Sequence, residues 1–292
     1  ISLPTDDPRL EALLSQDPIR SAYMLGDLDP AYAHGCSWYA PDDPSLKALL
    51  LLYSALSAPT LLSEGDVDGI ESILLAAWDK LPRRLYYQVP KSHAPKLKSF
   101  FRLTKRRKML RMGLSKSDAP PCKRDSSVEV LSHRHTGEIM SLYQHYPDNF
   151  FDPSMLNTGM YFGIREKDEL VSVAGIHLLS ESRDIASVGN IVTHPNHRGH
   201  GYASTCVSHL VTELLERVDK IALNVAADNK SAIRCYEGVG FKTYFEFQEG
   251  WATRHSSKPV RPVRQRGGLA AALLVLLLGQ HVVAEGLVDL AR

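Results

Sequence analysis

Apolar and polar positions alternate with period two through "MYFGIREKDELVSVAGIHLL", break at the charged "EKDE", and resume. This pattern predicts an antiparallel hairpin, and "IASVGNIVT" predicts the strand that follows it. Beyond "HPNHRGHG" the period lengthens. Ala203, Val207, Leu210, Val211, Leu214, Leu215 and Val218 share one face of a helix of about four turns. "KIALNV" then reads as a strand, "NKSAIRCYEGVG" as a short helix stopped by glycine, and "FKTYFEF" as a last alternating strand.

The first half of the chain follows a similar rhythm. "LKALLLLY", Leu46 to Tyr53, predicts a buried strand and "TLLS" another. Val67, Ile70, Ile73, Leu74, Ala77 and Trp78 recur at helical spacing after Asp66, an N-cap type residue. "RLYYQV" predicts a strand, "SHAPKLKSFF" a helix, and the residues beyond it a hairpin whose basic tip is "TKRRK". The polar stretch around Pro120 and Pro121 breaks the pattern and reads as a linker. The expected division is a lobe over 1–115, a linker over 116–127, a second lobe over 128–255, and a basic then apolar tail over 256–292. The fold class expected is α/β (α+β), two lobes that each form a mixed, mostly antiparallel sheet flanked by helices.

A chain of 292 residues has room for two cores. Its formal charge of +1 provides no global field to attract nucleic acid, and no nucleic-acid partner is expected. Cys36, Cys122, Cys206 and Cys235 are far apart and form no C-x-x-C pair, which suits a reducing compartment. With no basic-then-apolar leader at its start, the chain is expected in the cytoplasm. It opens on Ile1 rather than methionine, so further residues are expected before it. The run "LAAALLVLLL", Leu269 to Leu278, is about half the length needed to cross a bilayer. A C-terminal helix docked on the body, or on a second copy in a homodimer, is expected in place of a membrane anchor.

The richest chemistry lies in "NIVTHPNHRGHGYAST", Asn190 to Thr205. A strand feeding a glycine-rich turn that opens a helix is suited to binding phosphate, because the first helical N–H groups lack internal partners and carry partial positive charge. Gly199 and Gly201 let the backbone approach an anion, and Arg198 adds a forked cation. His194, His197 and His200 stand three apart, but a turn so rich in glycine gives imidazoles no fixed scaffold, and no metal is expected. A Walker loop needs a lysine after its glycines, and none is present.

"VTHPNHRGHGYAS" resembles the acyl-CoA pyrophosphate loop of the GCN5-related N-acetyltransferase (GNAT) superfamily, with Asn196, Gly199 and Gly201 on its pattern. It departs from that pattern at Asn196, where glutamine or arginine is usual. "NVAADNKSAIRCYEGVGF" resembles a second element of that family, carried by Asn229, Ala232, Tyr236, Gly240 and Phe241. With a preceding lobe, the chain looks similar to two-lobed bacterial acetyltransferases related to glycine N-acyltransferase.

The resemblance implies acetyl-CoA or another acyl-CoA as co-substrate, without a metal, and a primary amine of a small molecule or an amino acid as acceptor. It implies main-chain contacts to the pantetheine arm from Ile191, Val192 and Thr193. It implies a diphosphate cradle from Asn196, Arg198, Gly199, His200, Gly201, Tyr202, Ala203 and Ser204, with further cofactor contacts from Asn224, Asn229 and Ala232. Tyr236 matches the family's general acid; the alternative is a packed tyrosine bonded to backbone. His177 and Asn190 are candidates for the acceptor pocket, His177 being equally readable as a core-edge histidine. No glutamate base stands on the strand before the loop, where Gly189 and Asn190 are found, so a water relay is expected. Cys235, beside Tyr236, should point away from the thioester, since helical neighbours diverge by about 100°. The first lobe places Glu64, Asp66 and Asp68 where a cradle needs open amides, so it is expected to bind no second CoA and to complete the acceptor cleft. A catalytically silent acyl-CoA sensor is the competing reading, with acetylation of a protein lysine or N-terminus a third.

Overall fold

A computed structural model describes residues 1–259 except positions 56, 57, 122, 123, 148 and 150. The apolar run at 269–278 and Cys122 lie outside the described residues. Residues Ile1–Lys258 form one compact unit built on a single 12-stranded sheet. The strands are β1 (Ser2–Leu3), β2 (Cys36–Tyr39), β3 (Ala48–Tyr53), β4 (Thr60–Gly65), β5 (Arg84–Pro90) and β6 (Phe101–Ser115), then β7 (Val128–Val130), β8 (Phe162–Glu166), β9 (Glu169–Ser180), β10 (Ile185–Thr193), β11 (Lys220–Ala226) and β12 (Lys242–Arg254). The helices are α1 (Pro8–Leu14), α2 (Ala22–Gly26), α3 (Pro30–Ala33), α4 (Val67–Ala77), α5 (Ala94–Phe100), α6 (Thr136–Tyr143), α7 (Tyr202–Leu215) and α8 (Lys230–Val239).

The hairpin, the strands and the helices read from the second half are present. Lys167 and Asp168 turn the β8–β9 hairpin with positive φ of 49° and 69°, the geometry that matches strand twist in a two-residue loop. In α7 the stripe Cys206, Val207, Leu210, Val211 and Leu214 is buried against the sheet, as its spacing requires. The strands and helices read from the first half, from β3 to α5, are likewise present.

The expected hairpin at "TKRRK" is not formed. Phe101 to Ser115 is one long strand, and Lys105 takes a φ of 48° beside a register shift opposite Gly250. A local bulge absorbs the break in apolar pattern, because flanking residues of the strand find partners on both sides: β12 along most of its length and β11 over Met109–Ser115.

The strand order is β1-β2-β3-β4-β5-β12-β6-β11-β10-β9-β8-β7. The two halves therefore exchange strands at the centre. The last strand, β12, lies between β5 and β6, and β6 lies between β12 and β11. Met112 and Leu114 of β6 join the apolar core under α7 and α8, while Ala252 of β12 joins the core under α4 and α5. A third core beneath α1 and α2 includes Leu178, Ile185 and Ala222 of the second half. Gly26 of α2 is pressed onto Leu178, where a Cβ would meet the leucine at 1.9 Å. Only β4–β5 and β10–β11 run parallel; the other neighbouring pairs are antiparallel. Among the described residues no helix is long and apolar enough to cross a membrane.

Candidate active site

The two strands that carry the opening motif part company. β10 and β11 pair in parallel over Ile185↔Lys220 to Val188↔Leu223 and no further, although β10 runs on to Thr193 and β11 to Ala226. Two bulges accompany the split. Between Ser187 and Val188, β9 gains one residue, His177; between Gly189 and Val192, β10 gains one, and Asn190 there takes a φ of 54°. Both bulges interrupt the β9–β10 ladder beside the split.

At the end of β10 the chain enters a short 3-10 turn, Pro195–His197, capped by the His194 ring, which accepts from the Asn196 amide at 3.2 Å. Gly199 and Gly201 then adopt left-handed φ of 80° and 82°. A Cβ at either would meet nothing within 4 Å, so glycine here serves a backbone conformation and an open surface, not internal packing. Gly201 caps α7 with no side-chain hydrogen bond, and no acidic residue stands in the first turn. The helix entrance thus presents open amides and the positive end of its dipole. These features fit a diphosphate: bare donors, positive potential, and room where side chains would intrude.

Other loop residues are tied down. Arg198 donates through Nη2 to the Tyr146 hydroxyl at 2.8 Å, and Tyr146 in turn donates to the Thr193 carbonyl. His200 stacks on Tyr202, whose hydroxyl donates to Glu166 at 2.5 Å. His194 meets His145 and His197 edge-on. The Val192 carbonyl accepts from Ser172 at 3.3 Å. Ile191 packs against the α7 core, and Ala203 and Ser204 lie in the first turn of α7.

Asn190 does not face an open pocket. Its side-chain amide donates to the hydroxyl of Tyr161, just ahead of β8, at 2.7 Å, and its backbone carbonyl accepts from Tyr143 of α6 at 2.9 Å, so both bonds fasten the bulge. His177 is different. It reaches solvent, yet protein crowds it closely enough that desolvation by burial pulls its imidazole down to about 4. Gly189 makes space for this ring, since a Cβ there would lie 2.0 Å from Nε2. The Tyr23 ring of α2 stands 6.3 Å from it.

On α8, Asn229 caps the helix by accepting from the Ala232 amide at 3.2 Å. Tyr236 is 8% exposed, and the described residues give its hydroxyl no hydrogen-bond partner. Burial, then Cys235 and Tyr23, hold its phenol well above the ordinary tyrosine range, so it remains a proton carrier at neutral pH. The Cys235 thiol is also pushed up, chiefly by burial, with Ser204 as its hydrogen-bond partner, a poor setting for a nucleophile. Asn224, the first residue of β11 past the split, has its side-chain oxygen engaged by Arg111 Nε of β6 at 2.6 Å. Reading the sequence did not find Arg111 or Tyr23, because β6 and α2 reach this gap only through the strand exchange and the α2 packing.

The first half contains a parallel counterpart without a cradle. β4 and β5 pair over Thr60↔Tyr86 to Leu62↔Gln88 and then separate. The turn into α4 is tight: Gly65 at φ 93° is followed by Asp66, whose carboxylate accepts from the Gly69 amide at 2.9 Å. His93 fills the gap, hydrogen-bonded to Ser63 at 2.8 Å and to the Gly65 carbonyl at 3.0 Å.

Comparison with known proteins agrees with this fold. The family model described as "Acetyltransferase (GNAT) family" matches residues 128–241. A tandem GNAT protein from the clavulanic acid biosynthesis pathway superposes with a TM-score of 0.54 at 14% identity, covering 88% of this chain and 98% of that one. A Drosophila protein gives 0.65 at 12% identity, covering 88% and 99%. A putative GNAT acetyltransferase of Novosphingobium aromaticivorans gives 0.54 at 18%, covering 71% and 89%. No curated protein matches by sequence. Residues 128–241 thus form a domain that matches the GNAT acetyltransferase family, a match that supports acyl transfer from acetyl-CoA in general.

Proposed function

We propose that this chain moves an acyl group from acyl-CoA to a primary amine of a small molecule or amino acid, by direct attack while both substrates are bound. The observation that carries this reading is the open entrance to α7, Gly199 to Ser204, set at the mouth of the split between β10 and β11. Acyl-CoA supplies the activated thioester. Bare amides of the α7 entrance hold its diphosphate, with Asn196, Arg198, His200 and Tyr202 around the turn and Asn229 and Ala232 at the neighbouring helix start.

The edge over Ile191, Val192 and Thr193, which β11 does not pair, borders the gap that would accept the pantetheine arm, much as a sheet edge accepts a strand. The Tyr146 and Ser172 hydrogen bonds fix this segment in its parted course. Tyr236 keeps its proton and is suited to deliver it from Oη to the departing sulfur. His177 stays neutral at physiological pH and can accept a hydrogen bond from the incoming amine or from a relaying water. Asn190 supports the bulge. On this reading 1–115 supplies α2 and β6 as one wall of the acceptor cleft, 128–255 carries the transfer chemistry, and 116–127 joins them.

Free thiol release from acetyl-CoA in the presence of an amine pool, with calorimetry of CoA binding, tests the proposal. Transfer to small amines supports it. Heat of CoA binding without thiol release would favour an acyl-CoA sensor, and transfer only to protein lysines or N-termini would replace the acceptor class.

A further inference from the structure

Arg111 is a buried cation without a carboxylate. It is 4% exposed, in the middle of the sheet, and among the described residues no acidic group lies within ion-pair distance. Nε donates to Asn224 at 2.6 Å, and Nη1 to the Arg20 carbonyl at 2.9 Å and the Ile19 carbonyl at 3.4 Å. Nη2 finds no acceptor among the described residues. Aromatic faces surround the guanidinium carbon, Tyr23 at 4.6 Å and Phe245 and Phe247 at 5.6 Å each. Burial lowers its pKa to about 10, so it stays charged at neutral pH.

Burying a charge normally demands a counter-charge, and carbonyl dipoles and ring faces meet that demand only in part. The side chain borders a small cleft, partly open to solvent, between α2, the ends of β4 and β5, and β12. Glu64 is in the same cleft and favours the Arg111 charge at longer range, but its carboxylate is already paired with Arg20 at 2.9 Å. The rest of the wall mixes apolar side chains, Met24, Leu62, Phe245 and Phe247, with the polar Ser21 and Gln88. On its other side Arg111 holds Asn224, one residue past the last β10–β11 pair. The guanidinium thus stands between the cleft and the split where transfer takes place.

We infer that Arg111 binds a carboxylate on the acceptor, so that the acceptor is an amine carrying a carboxylate beside an apolar body. This rests on the transfer reading above, which places the acceptor on this side of the split. A guanidinium with a free N–H edge recognises a carboxylate through charge-assisted hydrogen bonds, and the neutral amide of the same acid offers no matching charge.

The intact chain, supplied with acetyl-CoA, is assayed for thiol release with phenylalanine, phenylalaninamide and phenethylamine. Binding of phenylalanine and of its amide to the CoA-loaded chain is measured by calorimetry in parallel. Phenylalanine is expected to exceed both neutral analogues by about 100-fold in kcat/KM. Arg111→Met is expected to collapse that ratio, chiefly through KM for phenylalanine, and Arg111→Lys to retain part of it. Equal use of the three amines by the unaltered chain overturns the inference. So does an equal loss on all three in Arg111→Met and Arg111→Lys, which would make Arg111 a structural clamp. If no amine releases thiol, the transfer reading fails and the calorimetric arm decides alone: about 100-fold preference for phenylalanine over its amide upholds the carboxylate site, and no preference overturns it. Should Arg111→Met not fold, the unaltered chain's ratio and calorimetry settle the matter in the same two directions.

Discussion

Replacing Gly199 and Gly201 by alanine separates a role in the fold from a role in holding coenzyme A. Both glycines have left-handed φ, 80° and 82°, and a Cβ at either meets no atom within 4 Å. The cost to the folded chain is therefore the backbone term alone, about 1 to 2 kcal/mol for each site. For a folded unit of this size that lowers Tm by roughly 2–4 °C per kcal/mol. The cost to the ligand is larger. A methyl group on the open face of the cradle keeps the diphosphate from the amides, and losing one or two charge-assisted hydrogen bonds at about 1.5–3 kcal/mol each weakens CoA binding by about 10- to 10,000-fold.

Gly240→Ala is the control. Gly240 has a φ of 110° and a Cβ there would meet Pro120 at 2.6 Å, so its substitution should cost at least as much stability without touching the loop. Calorimetric titration with CoA and thermal melts of the three variants make the comparison. If Gly199→Ala and Gly201→Ala melt lower as expected yet bind CoA like the unaltered chain, the α7 entrance does not hold the diphosphate, and the reasoning fails at its base.

Tyr236→Phe should reduce turnover by about 100-fold while leaving CoA affinity near its original value; a departing thiol of low pKa should restore much of the rate, as steady-state kinetics with such donors would show. Gly189→Ala sets a Cβ 2.0 Å from the His177 ring and must swing it aside, so kcat should fall in kinetic assays while calorimetry finds CoA binding intact. Asp27 is raised from 3.8 to about 8 by desolvation, so between these values the folded chain keeps a proton that the unfolded chain releases. Stability contributed at this site is present below pH about 4 and is lost as pH rises toward 8, by about 2 to 5 kcal/mol in all. Asp27→Asn should flatten that decline in denaturant titrations from pH 5 to 9. A chain ending at Phe241 loses β12 and with it the partner of both β5 and β6; it should not fold, as circular dichroism and loss of a cooperative melt would show.

The second half was legible because its order is local. The period-two hairpin, the glycine turn and the stripe on α7 each fall within one contiguous stretch, and the loop's chemistry depends on backbone dihedrals that glycine permits wherever it stands. The basic "TKRRK" defeats such reading for the opposite reason: its residues look like a turn in isolation, and β12, from the far end of the chain, holds it extended. The setting of Asn190 depends on Tyr143 and Tyr161, which no local pattern connects to it.

The sequence alone determined where the phosphate-type turn lies, which helix it opens and which tyrosine follows on the next helix, because dihedral preference and helical period act over a few residues. Only tertiary structure decided that β6 and β12 trade places between the halves, that α2 brings Tyr23 to His177, and that Arg111 is left charged and without a carboxylate at the edge of the split. Pairing between distant strands and the burial of a charge are set by which segments come together in space, and that depends on the packing of the whole chain.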